Sequence, residues 1–386
     1  MNVNFRPAFY AALLVISASL ASIPLQAQLL VCNEDGNTVD FIDPNSYTTI
    51  GSVVVGAGPA FNGGCAGVAI TPNGAFAYTA NTNDASVSVI NMTTRTLVTG
   101  IPVGGDHIPV GNDPNSIAIT PDGMKAFVTN SDDSTVSVIS TATNTVITTI
   151  TLLTTAPDVN TPTPQYIRIS PDGTRAYVAN EDGVNSYVIN TTTFVQTAIN
   201  IGIQAEAVAI SPDGMLAYFG GHDPVNTNIG EVQVVHVPAN SLGALIPVDA
   251  SPHGVVFTAD GKTAYTTNED AGTVSVIDVA ASAVKTTIRG FSEPSQMAFS
   301  PDGSILYVSD TGDTNDFDPN GGWDAVIPVY TSTNTWVPIA ATRTDRFSNT
   351  GCRGPGCADP EGMALSPLTP NNMTNVAGLE MSFFFN

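Results

Sequence analysis

The chain has 386 residues, with 34 acidic side chains against 11 basic ones and a formal charge of −23 at pH 7. Such a balance repels nucleic-acid phosphates and anionic membrane surfaces, so neither is expected as a partner. The length exceeds what one ordinary hydrophobic core serves, and polar loops alternating with β-branched runs point to a modular all-β chain.

Residues 1–27 read as a secretory signal. Arg6 supplies a positive start, Ala8 to Leu20 form an apolar stretch, and the segment ends on a small residue, Ala27. The apolar run is too short to span a bilayer, and no later stretch of about 20 apolar residues exists, so no transmembrane segment is expected after cleavage. Export to the periplasm, the cell surface or the medium follows as an expectation. The mature chain then opens on a strand, Leu29 to Asn33, and a polar loop, Glu34-Asp35-Gly36, with no partner strand before it.

A motif then recurs: apolar, small, apolar, Ser or Thr, Pro, Asp or Asn, Gly. It stands at Val68 to Gly74, Ile117 to Gly123, Ile167 to Gly173, Val208 to Gly214, Val255 to Gly261 (with Ala259 for the proline) and Met297 to Gly303. Proline presets φ for the second turn position, Asp suits the third, and Gly accepts the left-handed conformation that follows. The motif is therefore a hairpin. A second strand follows each turn, as in Ala176 to Asn180. Then come a polar loop, a third strand such as Val136 to Ile139, and a fourth such as Thr145 to Ile150. Four antiparallel strands repeating about every 40–50 residues describe a propeller blade. A degenerate seventh motif, Met363-Ala364-Leu365-Ser366-Pro367, is a first strand without a blade after it. It supplies what the start of the chain lacks. The expected fold is a seven-bladed β-propeller over 28–367, with blade 1 shared between 28–55 and 361–367 and a tail at 368–386 whose role is open. Closure hides the sheet edges that would otherwise invite aggregation.

These repeats resemble the YVTN-type β-propeller repeat, over almost the whole mature chain. The resemblance implies a seven-bladed propeller in a secreted, periplasmic or surface protein and an interaction scaffold, and by itself no reaction.

Four cysteines in an exported chain are expected to pair. Cys32, Cys65 and Cys357 lie at strand ends on one face of the disc. Cys32–Cys65 with Cys352–Cys357 is the favoured pairing, and a Cys32–Cys357 bond across the closure is the alternative. Long insertions at Leu152 to Gln165, Ser309 to Ala325 and Pro338 to Pro360 share that face. So do the acidic loops Glu34-Asp35, Asp132-Asp133, Glu181-Asp182, Asp223 and Glu269-Asp270, although Asp also makes good turns wherever it occurs. The loop Asp316-Phe317-Asp318-Pro319-Asn320-Gly321-Gly322-Trp323-Asp324 reproduces the opening of a calcium loop. Asp316, Asp318, Asn320 and Asp324 are the candidate ligands, with Ile327 where a bidentate Glu would stand.

Six residues before the motif's proline, each blade places one side chain at the mouth of the central channel: Ala66, Asn115, Gln165, Glu206, His253, Ser295 and Glu361. This ring suits a small ligand or an ion, and equally plain solvation of a channel entrance. Arg168 puts a charge where other blades have Ala or Val, with Glu206 or Glu361 as expected partners, or channel water. Of the four histidines, His107, His222, His236 and His253, the second and fourth are expected to approach each other, too few for a copper cluster. The leading reading is a non-enzymatic binding scaffold for a protein or surface ligand. The alternative is a propeller enzyme resembling lactonases or quinoprotein dehydrogenase subunits, with its site around Glu206, His253 and Glu361.

Overall fold

Strand and turn chemistry alone accounts for most of the architecture. The computed structural model describes residues 28–33, 37–44, 46, 48–56, 64–103, 105–158, 160–310, 325–337 and 360–365. They form seven antiparallel sheets, one per blade, and among the described residues the only helix is a 3-10 turn at Thr82–Asp84. Six sheets have four strands. In blade 2 the outermost strand is split into Thr96–Leu97 and His107–Pro109, both paired with Ser86–Asn91. No described helix is long and apolar enough to cross a membrane.

The innermost strands are Pro360–Leu365, Cys65–Ile70, Pro114–Ile119, Pro164–Ile169, Gln204–Ile210, Pro252–Phe257 and Pro294–Phe299. Each packs against the next in that order, and the last packs against the first. The ring is closed. Blade 1 is completed as the two half-motifs anticipate: Leu29 pairs with Leu365, Leu30 with Ala364 and Val31 with Met363. Apolar side chains from neighbouring sheets interdigitate between the blades, and the fully buried Tyr78, Phe127, Tyr177, Tyr218, Tyr265 and Tyr307 anchor these layers. Each buried aromatic of this size removes enough apolar surface from water to contribute about 1.5–3 kcal/mol.

One face of the disc carries the motif's turns. In blade 4 the Ser170 hydroxyl donates to Asp172, whose carboxylate also accepts the Thr174 N–H, while the Arg175 N–H donates back to Ser170 Oγ. The same arrangement recurs at Thr71/Asn73, Thr120/Asp122, Thr258/Asp260 and Ser300/Asp302. The motif's glycines adopt positive φ, 70° at Gly123 and 71° at Gly173, which L-residues with a Cβ resist. Beside each of these glycines sits the preceding blade's proline: Pro72 Cδ lies 3.3 Å from where a Cβ on Gly123 would stand, and Pro121 Cδ 3.3 Å from one on Gly173. Gly303 has nothing within 4 Å because blade 6 carries Ala259 in place of proline. A sequence irregularity leaves a small gap after the contacts that run unbroken from blade 2 to blade 6.

The opposite face carries the connectors and the second-to-third-strand loops. Cys32 and Cys65 are joined there, tying blade 1 to blade 2 as the favoured pairing had it. Cys352 and Cys357 lie outside the described residues.

Candidate functional site on the connector face

The second strands of five blades end on an asparagine: Asn33, Asn81, Asn130, Asn180 and Asn268. It is a structural residue. Asn130 Nδ2 donates to Thr135 Oγ1 and Ser137 Oγ, and Asn268 Nδ2 makes the equivalent pair to Thr273 and Ser275. Opposite it, every inner strand contains an irregularity of register, between Cys65 and Gly67, Ala205 and Ala207, and Pro252 and Gly254, for example. This is a β-bulge, which re-aims a side chain. The extra residue in these three is Ala66, Glu206 or His253, all members of the ring anticipated six positions before proline. The bulge turns that position toward the channel mouth.

In blades 4, 5 and 6 the bulge residue meets the residue one step past the end of the second-strand motif. Gln165 Nε2 donates to Glu181. Glu206 Oε1 lies 3.4 Å from His222 Nε2, with the two side chains 17 % and 13 % exposed. His253 Nδ1 lies 4.0 Å from Glu269 Oε2. The pairs of blades 5 and 6 adjoin, with one ligand atom each of Glu206, His253 and Glu269 within 4.8 Å of the others, and the charges of Glu206 and His253 both act on Glu181 of blade 4. Blades 2 and 3 place Ala66 with Thr82 and Asn115 with Ser131 at the same two positions, so the charged crescent of blades 4–6 does not extend into them; at the equivalent places of blade 1, Glu34 and the Glu361 side chain lie outside the described residues.

His222 arrives by the common spacing: it follows Pro212 as Glu181 follows Pro171 and Glu269 follows Ala259. What is irregular is the residue before it, Gly221, which falls opposite Ala205 where blades 2 and 6 place the structural Asn. Its hydrogen bond with Glu206 raises the His222 pKa against burial, helped by the Asp223 carbonyl and the charges of Glu206 and Glu181. Burial raises Glu181; Gln165 opposes this, and Glu206 adds to it. A crowded, partly desolvated group of carboxylates and imidazoles is where perturbed ionisation marks a candidate site.

Beneath the crescent a bar crosses the channel. Gln296 of blade 7 donates from Nε2 to Tyr166 Oη of blade 4 at 2.8 Å and toward the His253 carbonyl at 3.2 Å. Tyr166 stacks edge-on against His253 with ring centroids 5.7 Å apart. The fully buried Ser295 holds His253 from the other side, Oγ to Nδ1 at 2.9 Å. The sequence held a signal for this bar that went unread. Five residues before proline the other blades have Gly67, Ser116, Ala207, Gly254 and Gly362, and only Tyr166 and Gln296 are large.

Below the bar, Arg168 is 9 % exposed and does not pair with Glu206 as expected. Its position lies deeper on the inner strand, so it donates instead to the Ile167 carbonyl at 2.8 Å and Ser116 Oγ at 3.4 Å, and its guanidinium sits over the Tyr166 ring. No carboxylate of the described residues approaches it within 4.0 Å, Nε has no hydrogen-bond partner, and burial pulls its pKa down to about 10 against the opposing effect of Tyr166. The Glu361 side chain, the other expected partner, lies outside the described residues.

Of the remaining candidates, Asn115 is half-buried, and its backbone carbonyl packs on Gly67 rather than joining the crescent. The acidic loops divide by position. Asp133, Asp182 and Asp270 latch connectors, accepting from Asn112, Thr163 and Ser251, whereas Glu181 and Glu269 face the mouth. The insertion at 152–165 is also structural, for the Asp158 carboxylate accepts the N–H groups of Val184 and Asn185. The calcium-loop candidates Asp316, Asp318, Asn320 and Asp324, the insertion from 338 and the tail lie outside the described residues.

No protein-family model matches the sequence, and no curated protein does. Solved structures do. A hydrazine synthase from Kuenenia stuttgartiensis is 21% identical, with a TM-score of 0.63 over 79% of this chain and 92% of its own. The dihydro-heme d1 dehydrogenase NirN in complex with DHE is 15% identical, with a TM-score of 0.62 over 89% of this chain and 67% of its own. A candidate 6-phosphogluconolactonase from Bacteroides uniformis is 16% identical, with a TM-score of 0.64 over 88% of this chain and 99% of its own. At these identities the likeness is one of fold, a seven-bladed propeller.

Proposed function

We propose that the chain is an exported β-propeller binding scaffold of the YVTN-repeat type, which captures a protein or cell-surface ligand on its connector face. The observation that carries this reading is the crescent of three pairs on three successive blades, Gln165–Glu181, Glu206–His222 and His253–Glu269. The blade architecture does not call for these residues, since blades 2 and 3 form with Ala66, Thr82, Asn115 and Ser131 at the same places. Export is supported by the leader-like residues 1–27 and by the Cys32–Cys65 bond, which suits an oxidising compartment.

The test is capture from an envelope fraction by the purified mature chain, beside a variant with Glu206→Ala, His222→Ser and His253→Asn. A ligand bound by the native chain and lost by the variant supports the reading. A ligand held equally by both contradicts it. Mass spectrometry of the exported protein is expected to find an N-terminus at Gln28, and a retained leader in the cytosol would speak against export.

A second reading, a propeller enzyme with its site at the same mouth, is favoured by the carboxylate–imidazole contact of Glu206 with His222, a pairing suited to general base work. The names of the similar structures suggest a sugar lactone as the first substrate to try. Hydrolysis abolished by His222→Ser would support it, and a rate equal to the uncatalysed one would dispose of it.

A further inference from the structure

Two imidazoles and two carboxylates converge at the mouth from adjacent blades. Glu206 and His222 come from blade 5, at the bulge and strand end just described; His253 and Glu269 come from the equivalent places in blade 6. All four are held by backbone that has little freedom. His222 is the last residue of a paired strand, opposite Gln204, and the Glu269 N–H donates to the Ser251 carbonyl. Ser295 and the Tyr166 ring fix the tilt of His253.

We propose that Glu206, His222, His253 and Glu269 form a binding site for one divalent first-row transition ion. The donor set decides the class of ion. Nitrogen ligands select against calcium and magnesium, which take oxygen, and favour an ion such as zinc. The spacing agrees. Bonds of about 2.0–2.1 Å in a tetrahedron set neighbouring donors about 3.4 Å apart. Glu206 Oε1 and His222 Nε2 already stand at 3.4 Å. One ligand atom each of Glu206, His253 and Glu269 lies within 4.8 Å of the others, and His222 reaches this group through Glu206, so the Glu206 carboxylate is the residue common to both halves of the site. A cluster of solvated surface acids would lack three things present here: two imidazoles, partial burial of His222 and Glu206, and a buried hydroxyl orienting the His253 ring. With Ser295 on Nδ1, His253 offers Nε2 to the ion, and metal-binding histidines are typically oriented by such a partner at the far ring nitrogen.

The ion would be the ligand, or the hub for a ligand, of the mouth proposed above, and the inference rests on that mouth being the site. Its test uses zinc alone and no partner, so its failure is separate from failure of envelope capture. The mature chain, stripped with a chelator and dialysed, is titrated with Zn²⁺ in a calorimeter. Binding of one ion per chain is expected, together with a rise in melting temperature that grows with free zinc. His222→Ser and His253→Asn, each installing a residue that blade 3 carries at the same place, are expected to weaken zinc at least about tenfold. Should either variant melt early, Glu206→Gln serves in its place with the same expected loss. His236→Ala, at an exposed histidine far from the mouth in sequence position, is expected to bind as the native chain does. Absence of saturable zinc binding, binding that survives both histidine substitutions, or calcium binding as tight as zinc would each overturn the proposal.

Discussion

At the channel mouth, blades 2 and 3 differ from blades 4, 5 and 6. All five carry the same hairpin turn and the same bulge, yet the first two present Ala66, Thr82, Asn115 and Ser131 where the others present Gln165, Glu181, Glu206, His222, His253 and Glu269. One backbone therefore tolerates both sets. What the fold demands recurs: the left-handed Gly and the Asp or Asn that accepts the turn's hydroxyl in blades 2–7, and the asparagine that ties second to third strand in five blades. What varies against that constant frame is free to serve something else. Blade 5 makes the point most sharply, for it gives up the structural asparagine altogether, with Gly221 in its place, and brings His222 to the mouth.

If this division is right, substitutions on its two sides behave differently. The largest effect is expected at a repeated position. Asn130→Ala strands the Thr135 and Ser137 hydroxyls in a buried site and should cost about 1–3 kcal/mol in urea unfolding. A loss below about 0.5 kcal/mol would mean that the repeated asparagine is not a folding residue, and the comparison would fail on that side. A gain is expected at Ala259→Pro. It restores the residue that other turns carry and fills the space beside Gly303, so it should add about 0.4–1 kcal/mol. Destabilisation there would show that blade 6 has departed from the common turn.

The smallest effect is one of pH, spread over the turn face. Burial raises Asp122, Asp172 and Asp302, but the hydroxyl and backbone N–H groups donating to each outweigh it and hold all three below the usual carboxylate range. At Asp260 the Thr258 hydroxyl is the leading cause of the same depression. A depressed carboxylate stabilises the fold at any pH above its unfolded value of about 3.9, and the contribution is lost as pH falls through the folded value. Melting temperature should accordingly decline below about pH 4. Asp172→Asn, which copies the natural Asn73 of blade 2, should flatten that decline without altering its sign. An unchanged acid limb would remove the turn aspartates from the account.

Much of this was legible from sequence. The complementary half-motifs at the two ends closed the ring, and the proline spacing singled out Glu206 and His253, which the structure brings within 4.8 Å of each other, because turn and strand chemistry act over a few residues. Two features were not. Tyr166 reaches Gln296 across the channel, a contact between blades separated by two others. Arg168 was expected at Glu206, Glu361 or channel water, but its place on the inner strand sets its guanidinium over the Tyr166 ring and away from Glu206. Each depends on register or ring geometry rather than on local pattern.

The most direct test of the division is the stability of a chain in which the crescent is replaced by what blades 2 and 3 use: Glu206→Ala, His222→Ser, His253→Asn and Glu269→Thr together. Urea unfolding of this variant, in chelator and at neutral pH, is expected to give a free energy equal to or above that of the native chain. A loss as large as that of Asn130→Ala would contradict the account, for the crescent would then be part of what holds the propeller together.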